Sequence, residues 1–192
     1  MKDFYLNAIQ NQREKNLYRT LTSSDFTDCN AVLFDGRELI SFASNDYFSL
    51  SHNSSVKKAA TDATNKFGTS STASRYVCGN NSLHKKLEKT LAQFRKSEDA
   101  LIFSSGYVCA IGVLPALLGD GDLIVADRLI HSCLIEASKL SGAKLMRFLH
   151  NNIGHAREIL QENRGKFKKC LIITETVFSM DGDVGEVSKL LK

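Results

Sequence analysis

Three stretches of this sequence place hydroxyl, imidazole or carboxylate groups directly after short apolar runs, and a fourth places a guanidinium group near a helix end. In the first stretch, Ser104 and Ser105 precede Gly106 and Tyr107, where an apolar run gives way to a helical pattern. Free N–H groups at a helix start bind anions, and a glycine lets a ligand approach the backbone. This turn is a candidate phosphate site, although an ordinary strand-to-helix turn has the same composition.

The second and third stretches carry a histidine and a glutamate. His131 follows the apolar run 123–126, and Glu175 follows the apolar run 170–174. A carboxylate at the tip of a buried strand is costly unless a donor pairs with it, so Glu175 is a candidate site residue. A lone histidine is commonly a capping or surface residue, and that interpretation of His131 stays open beside the functional one.

The fourth stretch carries Arg19, at the end of a helix predicted over residues 3–18. A planar guanidinium group can hold a substrate carboxylate through two parallel hydrogen bonds. An arginine near a helix C-terminus also interacts favourably with the helix dipole, which is the alternative interpretation.

Hydrophobic periodicity indicates the elements that must position these groups. The pattern predicts helices over 3–18, 54–67, 82–96, 107–118, 132–140 and 152–163, and strands over 100–103, 123–126, 144–148 and 170–174. Asp35-Gly36 between two apolar runs indicates a β-hairpin. Alternating helices and nearly all-apolar strands predict an α/β fold whose parallel sheet is buried on both faces. Ligands of such sheets bind beyond the carboxyl ends of the strands.

The predicted fold class is therefore α/β, with an N-terminal helix and β-hairpin followed by the first part of a mostly parallel sheet flanked by helices. We predict one domain segment over 1–52 and a second over 53–192. The second segment is predicted to be the first part of a larger α/β domain.

Composition argues against several other functions. The 25 basic and 21 acidic residues are interspersed, so we expect no nucleic-acid partner. The scattered cysteines, which include Cys29, form no CxxC pair, and we predict no metal site. No long apolar run indicates a membrane span or signal segment, so we expect a cytoplasmic protein.

The order of five motifs is more specific than any one of them. These motifs are Leu17-Tyr18-Arg19, Ser44-Asn45-Asp46-Tyr47, Ser104-Ser105-Gly106-Tyr107, Ala126-Asp127-Arg128-Leu129-Ile130-His131, and the run from Glu175 to Gly182. Together they resemble the α-oxoamine synthases over residues 13–192. These are fold-type I pyridoxal-phosphate (PLP) enzymes that condense an amino acid with an acyl-CoA and release carbon dioxide.

The resemblance implies a role for each candidate residue. Gly106 and Tyr107 would bind the cofactor phosphate through backbone amides, His131 would stack on the pyridine ring and contact substrate, and Ser179 would hydrogen-bond the cofactor. We predict that His131 and Glu175 are catalytic.

On the substrate side, the resemblance implies that Arg19 holds the substrate carboxylate and that Asn45 also contacts the amino acid. The expected partners are an amino acid, an acyl-CoA or acyl-carrier protein, and a second subunit in a homodimer. The run 126–137 is most similar to the family member that joins L-alanine to a pimeloyl thioester in biotin synthesis.

Three alternatives stay open. 2-Amino-3-ketobutyrate ligase, another α-oxoamine synthase, shares the run from Val177 to Gly182. A nucleotide-binding oxidoreductase would need a glycine-rich fingerprint that the stretch 103–106 lacks, and the third alternative is a non-catalytic α/β module. The family's cofactor lysine has no convincing match here, so we expect the 192-residue chain, by itself, to be unable to hold PLP covalently.

Overall fold

A computed structural model describes residues 2–26 and 31–191, which form two compact units, Met1–Asn80 and Asn81–Lys192. Cys29 lies outside the described residues. The domain boundary predicted after residue 52 stays a prediction about the whole protein. Among residues 2–26 and 31–191, no helix is both long and apolar enough to cross a membrane.

The first unit contains a small antiparallel sheet whose tight turn the sequence predicts. Strands β1 (Asp25–Phe26), β2 (Ala31–Phe34) and β3 (Arg37–Ile40) pair in that order. Asp35 and Gly36 have φ angles of 48° and 72° between β2 and β3. Two positive φ angles fit the turn class that joins twisted antiparallel strands, so the hairpin is confirmed.

Helix α1 (Lys2–Glu14) ends before its predicted boundary at residue 18. Asn16 adopts a positive φ of 54°, and the N–H groups of Leu17 and Tyr18 both donate to the Gln12 carbonyl, at 2.9 and 3.2 Å. The left-handed residue closes the helix, because the chain cannot continue as a right-handed helix through it. Arg19 therefore lies in an irregular segment beyond the helix, and its predicted place at the helix end is wrong.

Helix α2 (Ser54–Phe67) matches its predicted bounds. The Asn53 side chain accepts hydrogen bonds from the N–H groups of Ser55 and Val56, which satisfies two donors at the helix start. Gly68, with a φ of 78°, follows the last helical residue and ends the helix. A 3₁₀ turn (Leu50–His52) and a π-helical turn (Arg75–Gly79) complete this unit.

The second unit alternates helices with three parallel strands. Its elements are α3 (Ser82–Arg95), α4 (Gly106–Leu117), β4 (Leu123–Asp127), α5 (Ser132–Ser141), β5 (Lys144–Phe148), α6 (Ile153–Asn163), a 3₁₀ turn (Arg164–Lys166), β6 (Cys170–Ile173) and α7 (Val187–Leu190). The strands pair in the order β5-β4-β6, with β4 at the centre. The three carboxyl ends therefore share one edge, as expected for an α/β sheet.

Strand β4 is the centre of the core. Leu123 through Asp127 are all inaccessible to solvent. Ile124 and Ala126 pack in a cluster with residues of α4 and α5, whereas Leu123 and Val125 pack with Phe148 and α6. Because alternate side chains of a strand point to opposite faces, both faces of the sheet are covered, which confirms the predicted α/β fold.

The strand predicted over residues 100–103 is wrong. This apolar run is irregular, and the three described strands of the sheet pair with one another. The Ile102 N–H donates to Glu88 Oε1 of α3 at 3.0 Å instead of to a strand carbonyl. Apolar β-branched residues fit a strand, but only a neighbouring strand completes its hydrogen bonds.

Truncating Ile124 tests the central place of β4. We expect Ile124→Ala to lower the free energy of unfolding of the whole protein by about 3 kcal/mol and Ile124→Val by about 1 kcal/mol, because a fully buried site cannot collapse around the lost methyl groups. Urea denaturation measures both values. Equal values for the two variants would contradict the packing described here.

Candidate functional site

A cavity of ≈ 560 Å³ opens within the second unit, beyond the carboxyl edge of the sheet. It has an apolar wall and a few polar groups, the usual character of a cofactor or small-molecule site. Its lining residues come from the start of α4, from the β4–α5 connection and from the segment after β6: Gly106, Tyr107, Cys109, Ala110, Val113, Leu114, His131, Cys133, Leu134, Glu175 and Ser179. The structure thus brings together five sequence-predicted site residues from three separate stretches.

The start of α4 offers free N–H groups to the cavity. The Ser105 side chain accepts the N–H of Val108 at 3.1 Å, and the Ser105 carbonyl accepts the N–H of Cys109 at 3.0 Å. Gly106 and Tyr107 stand in the first turn, where helix geometry supplies no acceptor for an N–H group. A Cβ at Gly106 would have no atom within 4 Å, so the backbone is open to a ligand. An anion fits here.

His131 is held at both its backbone and its ring. Its N–H donates to Glu175 Oε1, and its Nδ1 accepts the N–H of Cys133 at 3.2 Å, which caps α5. The Cys133 thiol also lies 3.0 Å from Nδ1. Because Nδ1 accepts a backbone hydrogen bond, the neutral ring carries its proton on Nε2. His131 can therefore donate through Nε2 while remaining fixed by Nδ1.

Glu175 and Ser179 stand on a segment after β6 that folds back on itself, called here the 175–185 loop. The N–H of Gly185 donates to the Thr176 carbonyl at 3.0 Å, and the N–H of Phe178 donates to the Asp183 carbonyl at 3.0 Å. The Phe178 side chain is buried in the core cluster that also contains Ala126. The loop is therefore closed at its base and anchored by an aromatic ring.

Gly185 allows the two ends of this loop to meet. A Cβ at this position would lie 2.0 Å from the Glu175 carbonyl oxygen, far inside van der Waals contact. A larger residue must push the two backbone segments apart, and this displacement would move Glu175.

Asp127 organises the carboxyl end of β4, a role that its sequence motif does not predict. Its side chain is fully buried and accepts three hydrogen bonds, from the Leu129 N–H at 2.8 Å, the Asn151 N–H at 2.9 Å and His150 Nδ1 at 2.9 Å. The sequence feature that could have identified Asp127 is a carboxylate at the tip of an all-apolar strand. The same feature made Glu175 a candidate site residue.

His150, just beyond β5, bonds a second carboxylate as well. Its Nε2 lies 2.7 Å from Asp183 Oδ2, and the Asn151 side-chain amide donates to the same oxygen at 2.8 Å. The hydrogen bond to Asp127 raises the pKa of His150 above its ordinary value, and Asp183 adds to the rise against the opposing effect of burial. The described residues thus contain a linked group that sequence reasoning missed.

Arg19 and Asn45, the predicted substrate residues, belong to the first unit. Both side chains are exposed, and Asn45 precedes Asp46, whose carboxylate accepts the N–H groups of Leu50 and Ser51. The Ser51 hydroxyl, which also donates to Asp46, lowers the pKa of that carboxyl. The roles of Arg19 and Asn45 toward a substrate stay predictions.

Comparison with known proteins defines the class. The family model of aminotransferase class I and II matches residues 37–192, and the chain belongs to this family. An 8-amino-7-oxononanoate synthase from Geobacter sulfurreducens is 40% identical over 183 residues, which cover 95% of this chain and 46% of the relative. The chain spans about half the length of the curated relatives that it matches.

Solved structures agree with this assignment. The serine palmitoyltransferase of Sphingomonas wittichii superposes with a TM-score of 0.86 at 26% identity, over 97% of this chain and 47% of its own. An 8-amino-7-oxononanoate synthase from Francisella tularensis superposes with a TM-score of 0.65 at 30% identity, over 78% of this chain and 40% of its own. The resemblance to the α-oxoamine synthases is confirmed.

Substituting Gly185 tests the close approach at the base of the 175–185 loop. We expect Gly185→Ala to lower the free energy of unfolding by about 2 kcal/mol, because the added methyl group meets a backbone carbonyl that cannot move aside cheaply. Chemical denaturation of the whole protein measures the change.

Gly165→Ala is the matched control, because a Cβ there would have no atom within 4 Å. We expect it to change stability by less than about 0.5 kcal/mol. A Gly185→Ala variant as stable as this control would contradict the contact between Gly185 and Glu175.

Proposed function

We propose that the whole protein is a PLP-dependent C-acyltransferase that condenses an amino acid with an acyl thioester and releases carbon dioxide. One observation carries the proposal: Gly106, Tyr107, His131, Glu175 and Ser179, selected by sequence, line a single cavity at the carboxyl edge of the sheet. The family assignment and the names of the relatives support it.

The residues of the cavity fit PLP. The free N–H groups of Gly106 and Tyr107 suit its phosphate, and the imidazole of His131 provides a flat surface for its ring. The hydroxyl of Ser179 is a hydrogen-bond partner for a polar substituent on that ring. When bound, PLP supplies the electron sink for chemistry at the amino-acid α-carbon.

The chain's own groups then orient and protect the reacting atoms. His131 can offer the proton on Nε2 to a substrate oxygen, since Nδ1 is engaged with the Cys133 N–H. Glu175 fixes His131 through the backbone N–H. Ala110, Val113 and Leu114 form an apolar wall that excludes water from one side.

The finer proposal concerns the substrates. The whole protein would join L-alanine to pimeloyl-CoA, or to pimeloyl-carrier protein, and give 8-amino-7-oxononanoate in biotin synthesis. The names of the relatives and the similarity of the run 126–137 support this choice. Arg19 and Asn45 would contact the amino acid, and the enzyme would act in the cytoplasm as a homodimer.

A substrate matrix tests the proposal. The whole protein is incubated with PLP and with L-alanine or glycine, each paired with pimeloyl-, succinyl- or acetyl-CoA, and the products are identified by mass spectrometry. We expect 8-amino-7-oxononanoate from L-alanine and pimeloyl-CoA.

The other outcomes decide against one part of the proposal or all of it. Preference for glycine with acetyl-CoA would replace the finer proposal with 2-amino-3-ketobutyrate ligase activity. A protein whose absorbance does not change with PLP, and which instead binds a nicotinamide nucleotide, would be an oxidoreductase. If neither ligand binds, the non-catalytic module is favoured.

Two substitutions of His131 separate its capping role from its proposed stacking role. Asparagine can still accept the Cys133 N–H, whereas alanine cannot. We expect both His131→Asn and His131→Ala to weaken PLP binding about two- to ten-fold, because contact between aromatic planes contributes about 0.5–1.5 kcal/mol. Only His131→Ala should also lose about 1 kcal/mol of stability, the usual effect of a lost helix cap.

Absorbance titration with PLP and thermal unfolding provide the two measurements. Unchanged PLP affinity in His131→Asn would show that the ring plane does not contact the cofactor.

A further inference from the structure

We propose that His150 is a positioning residue that clamps the 175–185 loop across the carboxyl end of β4 and thereby sets the places of Glu175 and Ser179 in the cavity. The clamp itself follows from geometry within the second unit. Its consequence for PLP rests on the proposed function.

Topology shows why a clamp is needed. β6 and β5 lie on opposite sides of β4, yet Asp183, which belongs to the segment after β6, bonds His150 and Asn151, which follow β5. The segment between Ile173 and Asp183 must therefore cross the end of β4. Ser179 stands on the crossing part of this segment.

The two hydrogen bonds of His150 depend on the protonation state of its ring. His150 Nδ1 lies 2.9 Å from Asp127 Oδ1, and Nε2 lies 2.7 Å from Asp183 Oδ2. A carboxylate accepts hydrogen bonds and, when ionised, donates none, so both contacts become hydrogen bonds when each ring nitrogen carries a proton. The imidazolium form of His150 is therefore the form that completes the clamp, and charge-assisted bonds of this kind are the stronger class.

The ring also contacts the loop anchor directly. The ring centroids of His150 and Phe178 are 4.5 Å apart, with an angle of 89° between the planes, which is an edge-to-face contact. Phe178 precedes Ser179 in the chain, so a movement of His150 reaches the cavity through one peptide bond as well as through Asp183.

The charged groups around His150 are mainly acidic. Asp127, Asp183 and Asp181 face the ring. One ring nitrogen of His150 and one carboxylate oxygen from each of Asp181 and Asp183 all lie within 4.8 Å of one another. From α6, His155 Nδ1 accepts the N–H of Leu149, and from β5 the Arg147 side chain donates to the Arg128 carbonyl. These two neighbouring basic side chains are thus engaged with backbone groups.

The clamp should weaken as pH rises. The pKa of His150 is raised above 6.5 in the folded protein, chiefly by the bond to Asp127. The contribution of protonated His150 to the stability of the folded protein is complete below pH 6.5 and is lost as pH rises through the raised pKa. Loss of either ring proton leaves a nitrogen lone pair facing a carboxylate, so one of the two hydrogen bonds that join Asp127 to Asp183 through His150 is lost.

The test compares the whole protein with His150→Gln, which can donate to only one carboxylate. Two quantities are measured from below pH 6 to above pH 9: the dissociation constant of PLP, and the exchange protection of the amides of residues 176–184, which is the intrinsic exchange rate at each pH divided by the observed rate. For the original protein we expect lower exchange protection and weaker PLP binding above the raised pKa. For His150→Gln we expect PLP binding to be about ten-fold weaker at low pH, because one charged hydrogen bond is lost. We also expect the exchange protection of the loop in this variant not to change with pH.

The double variant His150→Gln with Asp183→Asn supplies the rescue. A side-chain amide pair restores donor and acceptor at this contact without charge, so we expect exchange protection of the loop to recover in part and to stay independent of pH. Circular dichroism checks that each variant is folded.

Three outcomes would overturn the clamp: unchanged loop exchange in His150→Gln, an equal pH dependence in that variant, or no recovery in a folded double variant. Loop exchange is read without PLP. A protein that never binds PLP, yet shows the expected exchange pattern, would therefore contradict the proposed function and support the clamp.

Discussion

The parallel pairing of β4 with β5 and β6 is the constraint on which the rest of the second unit depends. Because β4 is buried along its whole length, its two neighbours are fixed on either side and their carboxyl ends meet at one edge. Residues distant in sequence then become neighbours at that edge. His131 follows the central strand, Glu175 follows one outer strand and His150 follows the other.

Each buried polar group described at this edge has a hydrogen-bond partner at the same edge. Asp127 would be strongly unfavourable in the core without donors, and two backbone N–H groups and one imidazole supply them. Glu175 binds the backbone at His131 on the β6 side, while Asp127 and His150 bind on the β5 side. The central strand end is therefore held from both flanks, which preorganises a cavity built from loops.

Local sequence signals predicted most of the elements, and these signals together with the family resemblance selected five of the residues that line the cavity. The helix predicted over 54–67 coincides with α2, and the apolar runs of β4 to β6 mark the sheet. The failures arose where distant parts of the chain decide the outcome. The run at 100–103 needs a pairing neighbour to be a strand, and the partnership of His150 with Asp127 and Asp183 depends on strand order, which no local pattern specifies.

The residues joined by these hydrogen bonds lie far apart in sequence, so they emerge at different times during synthesis of the chain. Glu175 lies 44 residues after His131, and Asp183 lies 33 residues after His150. A chain synthesised from its N-terminus exposes Asp127 before the histidine that pairs with it, and that histidine before Asp183. The cavity edge is thus completed only after the last of these residues has left the ribosome, and until then Asp127 stays solvated in a chain whose sheet has not yet formed.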